Sequence, residues 1–475
     1  MKRVFLIGIG GAGMSSLAFL AKDLGYQVSG SDIKDSDNVK KLQQKGIKVF
    51  LGHREENIIK IKPDLVVYSS AIKNDNPERK WAKNHRILIK HRFAFLAQLI
   101  SPFKTIAVSG THGKTTATSM VGFLLQEAKK PVYVYLGGEN ICLKEKKITA
   151  KSWVVLETDE SDKSFLLFDP DISLVTNIDQ DHLSNYHYSF KELKQSFKKF
   201  IKGKGKRKVD ILCADDENLM IVSRSLQGDS SLSLRGARLR RQAKRRNNLA
   251  LFLTYGLSPN ADLRAQNLSF FASGIKANLV FKGKSIGQLQ VPFPSEQNLL
   301  NALGAMLAAK QVGVSFQQSI KILKRFKLPK RRSEIIGEKK RILVIDDHAD
   351  HPTEVKTTLA SLKVLKRRII AVYEPHRYTR MKMLGDKVGQ AFDDADVIIS
   401  LDICPAFEKP IKAITGKKVN QWIKKYNPQK KVFYVKNLDD VPKLLKKIIQ
   451  PKDLIITLGP GTIKDLAQKI LSSIC

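Results

Sequence analysis

Short apolar runs alternate along the chain with longer segments in which apolar residues return at helical spacing. Near the start the runs are Val4 to Ile7, Gln27 to Gly30, Leu65 to Ser69 and Ile87 to Ile89, which read as strands with helices between them. Such a βαβ alternation predicts a parallel, doubly wound sheet whose ligands gather at the carboxyl ends of its strands. After Ser101-Pro102 the alternation restarts at Thr105 to Ser109 and continues through Val132 to Tyr135, Trp153 to Glu157 and Ile172 to Thr176. Residues 202 to 292 are basic, irregular and strand-rich, and a helix is predicted over Asn298 to Lys310. Beyond Leu328-Pro329-Lys330, the runs Ile342 to Asp346, Ile369 to Tyr373, Val397 to Leu401, Val432 to Val435 and Leu454 to Leu458 predict a second doubly wound unit. The expectation is an α/β protein of three domains, 1–103, 104–328 and 329–475.

Two glycine-rich turns fall between a predicted strand and a predicted helix. Gly8-Ile-Gly10-Gly11-Ala-Gly13 sits where backbone amides at a helix start bind a diphosphate, with Asp32 placed as a ribose-binding acid would be. It suits a nicotinamide dinucleotide or any other diphosphate, and a plain tight turn would also need its glycines. Gly110-Thr111-His112-Gly113-Lys114-Thr115-Thr116 reads as a shortened phosphate-binding loop. Its lysine would neutralise phosphate oxygens and the Thr115 hydroxyl would ligate Mg2+, so the central domain is expected to be an ATPase-type parallel sheet with added strands. Glu157, at a strand end before Thr158-Asp-Glu-Ser-Asp162, and His182, in Thr176-Asn-Ile-Asp-Gln-Asp-His182, should emerge at the same sheet edge. Oxygen-rich loops suit Mg2+, although a helix cap or surface histidine would explain either residue alone.

Composition changes the picture in two places. Hydrophobic residues at 43% and charged residues at 27% are globular proportions, and Cys142, Cys213, Cys404 and Cys475 form no CxxC, so a disulfide framework or cysteine zinc site is not supported and a cytoplasmic setting is expected. Lys2 and Arg3 before an apolar run resemble a signal peptide, but the glycine turn interrupts that run, and no stretch approaches the ~18 apolar residues of a spanning helix. The net charge of +38 attracts polyanions. Its densest clusters, Lys202 to Lys208 and Arg235 to Arg246, lack the interleaved aromatics of a single-strand stacking surface, so nucleic acid is not the expected partner.

The strings GIGGAGMSSLA from Gly8, SGTHGKTT from Ser109, ETDESDKSF from Glu157, TNIDQDH from Thr176 and EPHRYTR from Glu374 together resemble the Mur ligases, from residue 3 to about 463. SSAIKNDNPE from Ser69 adds to the resemblance. It implies Rossmann-like first and third domains around a central ATPase domain, with ATP and Mg2+ as cofactors. The implied activity is ligation of L-alanine to the lactyl carboxylate of UDP-N-acetylmuramate through an acyl phosphate, in peptidoglycan precursor synthesis, by a monomer or weak homodimer. The resemblance places the UDP-sugar at Gly8, Gly10, Gly11, Gly13, Met14, Asp32, Ser69 and Ser70. It places ATP at Gly110 to Thr116, Gln297, Asn298, Asn301, Arg332 and Asp346, with Arg331 beside Arg332 in a phosphate-reaching pair. Thr115, Glu157 and His182 would serve metals; Lys114, His376, Arg377 and Arg380 would serve the reacting groups.

Several positions depart from the family pattern. Gln297 stands for a histidine, and Asp-Asp-Tyr-Gly/Ala-His-His-Pro-Thr-Glu becomes Asp346-Asp-His348-Ala-Asp350-His-Pro-Thr-Glu354. Cys404-Pro-Ala-Phe407-Glu replaces Tyr-Pro-Ala-Gly-Glu, and Leu458-Gly-Pro-Gly-Thr462 replaces Met-Gly-Ala-Gly-Asp. His348 and Asp350 put amino-acid selectivity in question more than the reaction. The nearest alternative is a recycling ligase that adds a preformed peptide to the same sugar nucleotide. Two other classes are a nucleic-acid-associated ATPase using an inserted basic arm at 235–246, and a nicotinamide-dependent oxidoreductase, which leaves Lys114 and Thr115 unexplained.

Overall fold

The computed structural model describes residues 2–136, 143, 147–181, 183–203, 209–227, 251–271, 274–406 and 408–474. His182, Phe407, the basic stretch 235–246, most of the cluster 202–208, Cys142 and Cys475 lie outside the described residues.

Among the described residues the strands form three sheets. The first contains β1 (Arg3–Ile7), β2 (Gln27–Asp32), β3 (Lys48–Leu51), β4 (Leu65–Tyr68) and β5 (Leu88–His91), all parallel, in the order β3-β2-β1-β4-β5. The second contains β6 (Lys104–Ser109), β7 (Val132–Tyr135), β8 (Trp153–Glu157), β9 (Ile172–Val175), β10 (Val209–Cys213), β11 (Leu251–Gly256), β12 (Leu263–Phe271), β13 (Gly274–Phe281) and β14 (Lys284–Val291). Its order is β14-β13-β12-β11-β10-β9-β6-β8-β7, with β13 antiparallel to both neighbours. The third contains β15 (Glu334–Lys339), β16 (Ile342–Asp347), β17 (Ile369–Tyr373), β18 (Val397–Leu401), β19 (Lys431–Val435) and β20 (Leu454–Leu458), in the order β15-β16-β20-β17-β18-β19.

Burial explains why some strands are plain in the sequence. β4, β9, β16, β17, β18 and β20 are covered by helices on both faces and are nearly continuous in Val, Ile and Leu. β3 and β15 lie at sheet edges, partly exposed, and are absent from the hydrophobic pattern, although the edge strands β5, β7 and β19 appear in it; β15 runs antiparallel to β16.

The first two sheets and their helices share one continuous apolar cluster, from Val4 to Phe326. The third sheet buries its own two faces in separate clusters, one around Ile345 and Tyr373 and the other around Val344 and Ile399. Its helix Pro352–Leu362 begins with His351 as N-cap, Pro352 in the first turn and Glu354 close behind, favourable residues for a helix start. That start faces the phosphate loop.

In the first sheet Gly30 pairs with Leu6, and a Cβ there would lie 2.3 Å from the Leu6 carbonyl oxygen. Gly30→Ala should therefore part β1 from β2 and destabilise the protein by about 1–3 kcal/mol, the usual cost of overpacking, read as a lowered midpoint in urea unfolding.

Candidate active site

β6, β8 and β9 are adjacent and parallel, so the segments leaving their carboxyl ends converge. The β6 segment is the glycine loop that opens the helix Lys114–Glu127. Gly110 has φ +133°, and a Cβ there would lie 2.1 Å from Thr176 Oγ1; Gly113 has φ +81°, and its Cβ would lie 2.7 Å from Asn301 Oδ1. Both positions need glycine for conformation and for space. The loop is laced to the segment after β9: Asn177 Oδ1 accepts from the His112 amide at 2.8 Å, and Thr176 Oγ1 donates to the His112 carbonyl at 2.6 Å.

Lys114 is largely buried, 14% exposed, and its ammonium donates to the carbonyls of Gly110 at 2.7 Å and Thr111 at 3.0 Å and pairs with Glu160 at 2.8 Å. Burial acts to lower its pKa, but Glu160, Asp159 and Glu157 outweigh that and raise it. Burial pushes Glu160 up to about 7 against the pull of Lys114. Thr115 Oγ1 donates to Glu157 Oε1 at 2.9 Å, so the two oxygens expected to hold a metal are adjacent.

The second wall comes from the third sheet's unit. A cleft is lined by His112, Gly113 and Thr116 of the loop, by Gln297, Asn298 and Asn301 at the start of the helix Glu296–Gln311, and by Arg332, Thr353 and Glu354. Arg332 reaches this cleft and Arg331 does not. Arg331 is held by Asp346 Oδ2 at 2.7 Å and the Gly459 carbonyl at 2.6 Å, and Asp346, only 1% exposed, also accepts from Thr457 Oγ1 at 2.5 Å. In this arrangement Asp346 serves to anchor Arg331.

Charged contacts join the walls. His112 Nδ1 meets Glu354 Oε1 at 3.1 Å, and its Nε2 meets Asp179 Oδ2 at 2.9 Å. Thr353 Oγ1 donates to the same Asp179 oxygen at 2.8 Å. Arg380 donates to Asp350 Oδ2 at 2.7 Å and to Asp181 Oδ2 at 2.6 Å, and His376 Nδ1 stands 3.7 Å from Asp350 Oδ2. The changed residue Asp350 thus touches the predicted Arg380. Burial pushes Asp350 up to about 7 despite Arg380, and burial with the nearby Arg377 and Arg380 pulls His376 down to about 4. Arg377 has φ +66° and donates its amide to the Cys404 carbonyl at 2.9 Å. Glu160, Asp179, Asp181 and Glu354 each lie inside a motif quoted above but carry no signal of their own in the sequence.

The first glycine turn lies at the carboxyl end of β1. Gly8 has φ +79° and sits against Ser69; Gly10 donates its amide to Asp32 Oδ2 at 2.8 Å, so Asp32 braces the turn. Gly11 is the N-cap of the helix Ala12–Asp23, and Tyr135 donates to the Gly13 carbonyl at 2.8 Å from the second sheet. Met14 is 1% exposed and belongs to the core. Ser70 bonds His91 Nε2 at 3.0 Å and Asp162 Oδ2 at 3.4 Å, which brings the first unit to the loop after β8.

Comparison with known proteins matches residues 3–104 to the Mur ligase family catalytic domain, 108–309 to the Mur ligase middle domain, and 331–461 to the Mur ligase glutamate ligase domain. The chain belongs to the Mur ligase family. Two UDP-N-acetylmuramate–L-alanine ligases, from Dictyoglomus turgidum and Carboxydothermus hydrogenoformans, are each 37% identical over 99% of this Mur ligase and 97% and 96% of their own lengths. The crystal structure of the UDP-N-acetylmuramate-alanine ligase of Thermotoga maritima aligns with a TM-score of 0.79 at 25% identity, covering 99% of both chains. A murein peptide ligase from Psychrobacter arcticus shares the fold at a TM-score of 0.69 and 24% identity.

The His112 junction of this Mur ligase has a definite pH signature. Burial acts to lower the imidazole, but the bonds from Asp179 and Glu354 push it up to about 10. Stability from a raised histidine is complete below its unfolded value of about 6.5 and is lost as pH rises through the folded value. For the carboxylates burial acts to raise the pKa, but His112 holds Asp179 and Glu354 below their usual values, so their contribution is lost only in acid. The thermal midpoint should fall between about pH 6.5 and 10, and Glu354→Gln should flatten that slope relative to the parent chain.

Proposed function

We propose that this chain joins L-alanine to the lactyl carboxylate of UDP-N-acetylmuramate at the expense of ATP, giving UDP-N-acetylmuramoyl-L-alanine, ADP and phosphate for peptidoglycan synthesis. The observation that carries the reading is the largely buried Lys114 ammonium, set in a glycine loop at a strand end and aimed among oxygens, beside a cleft with walls from two sheets. Full-length similarity to alanine ligases supports the same conclusion. We assign residues 1–103 to the UDP-sugar, 104–328 to ATP and 329–475 to the amino acid. Among the described residues no helix is long and apolar enough to cross a membrane, and a cytoplasmic location, where ATP and UDP-sugars are available, fits this chemistry.

A carboxylate acylates poorly until one of its oxygens becomes part of a phosphate leaving group. Phosphoryl transfer asks chiefly for positioning and positive charge. The amides at the start of the helix Lys114–Glu127 point at the β and γ phosphates, and Lys114 exchanges its carbonyl partners for phosphate oxygens. Gln297, Asn298 and Asn301 hold the adenine side of the cleft, and Arg332 the phosphate side. The Thr115 hydroxyl and Glu157 carboxylate are neighbouring hard oxygens, a donor set that fits Mg2+, with His182 as the remaining ligand of the assignment. When bound, Mg2+ neutralises charge on the transferring phosphoryl group.

His376, Arg377 and Arg380 orient the amino acid and face the developing oxyanion. The amine nitrogen bonds to the carbonyl carbon and gives up a proton to solvent, the carbon–oxygen bond to phosphate breaks, and phosphate departs with an oxygen that began in the lactyl carboxylate. The first glycine turn with Ser69 and Ser70 receives the UDP-sugar and presents that carboxylate to the loop.

Phosphate release from ATP should be measured with Mg2+ and UDP-N-acetylmuramate, offering L-alanine, L-serine, glycine or the recycling tripeptide in turn. Release is expected with L-alanine and only when the sugar nucleotide is present; release confined to the tripeptide would move the assignment to the recycling reaction. Lys114→Ala should lower kcat by about a hundredfold or more, as loss of a transition-state cation does.

A further inference from the structure

His112, Asp179 and His351 each offer one metal-binding atom, and these atoms lie within 4.8 Å of one another. Asp179 Oδ2 is the hub: His112 Nε2 stands 2.9 Å from it and His351 Nδ1 3.7 Å. Ligands on a tetrahedral ion with bonds of about 2.0–2.1 Å are spaced by about 3.3 Å, between these two separations. Both separations from Asp179 are close to that spacing, and the third pair of atoms lies within 4.8 Å, so shifts of the side chains would bring the three onto one ion.

Two further observations point to a ligand. The far nitrogen of His112, Nδ1, faces Glu354 Oε1 at 3.1 Å, the carboxylate-behind-imidazole arrangement that fixes which nitrogen turns to a metal. His351 is only 5% exposed, yet its Nε2 is buried without a hydrogen-bond partner, and its Nδ1 receives only a long 3.4 Å bond from the Thr353 amide. The atom open to an ion is therefore Nδ1, weakly engaged and turned toward Asp179, while Nε2 lies on the far side of the ring and gains no partner from coordination. The two imidazoles lie with centroids 5.2 Å apart and planes 33° from parallel, side by side over one carboxylate.

We propose that His112, Asp179 and His351 bind one divalent transition ion of the zinc class, which clasps the phosphate loop to the third domain. Two imidazoles and a carboxylate suit zinc, cobalt or nickel and suit Mg2+ poorly, so this site differs in chemistry from the Thr115–Glu157 oxygen pair. His112 belongs to the phosphate loop, Asp179 to the segment after β9, and His351 caps the helix Pro352–Leu362. An ion there displaces the proton between His112 Nε2 and Asp179, which leaves to solvent, replaces that hydrogen-bonded junction with coordinate bonds and holds the nucleotide cleft in its closed form. The inference rests on these contacts and is independent of which amino acid is ligated.

The test is zinc titration of the full chain, freed of metal and nucleotide, in excess Mg2+. One equivalent should bind tightly; His351→Gln and Asp179→Asn should each weaken it at least tenfold, Glu354→Gln by about 10–100-fold, and Glu157→Gln should leave it unchanged. Equal affinity in the His351 and Asp179 variants, or loss in the Glu157 variant, would overturn the proposal. Should a ligand variant fail to fold, Co2+ bound to the parent chain decides. Visible bands of tetrahedral nitrogen and oxygen ligation are expected, whereas thiolate charge-transfer bands would place the ion on cysteine and reject the site.

Discussion

A largely buried ammonium is the constraint on which this molecule turns. Lys114 can be held charged away from water only if oxygens surround it, and the fold supplies them from the Gly110 and Thr111 carbonyls and Glu160. Those groups meet because β6, β8 and β9 are parallel neighbours and end together. The same edge brings Glu157 to Thr115 and the segment after β9 to His112. Glycine at 110 and 113 is the condition for this approach, since a side chain at either would meet Thr176 or Asn301.

The joints between domains differ in kind. The first two domains share apolar core, whereas the third meets the site through His112–Glu354, Thr353–Asp179 and Arg380–Asp181. Polar joints can exchange partners with substrates, while an apolar joint resists opening. A domain that must admit nucleotide and then exclude water from an acyl phosphate is well served by the polar kind. Asp350 belongs to this joint, since it and Asp181 both accept from the guanidinium of Arg380.

What was legible in the sequence follows from what was repeated or chemically distinctive. Strands buried on both faces announced themselves as apolar runs, and the two glycine turns were visible because strand, glycine and helix stood in register. β3 and β15 were not: both are partly exposed and short of apolar residues on one face, so no run stands out from the flanking polar residues. Side-chain partnerships across long separations were also hidden. Nothing local shows that Arg331 turns to Asp346 and Gly459 while its neighbour Arg332 faces the cleft, or that Asp32 braces Gly10. Glu160, Asp179 and Glu354 lay within recognisable motifs, but their roles arise from contacts with Lys114 and His112 that only the folded chain creates.

The central claim is that the chain activates a carboxylate by phosphorylating it. Its most direct test uses UDP-N-acetylmuramate with heavy oxygen in the lactyl carboxylate, followed by mass analysis of the phosphate released during ligation of L-alanine. The account predicts one labelled oxygen in each phosphate formed, because the bond to phosphate made in the first step keeps that oxygen when the amine displaces it. Phosphate without label, alongside normal amide formation, would contradict it.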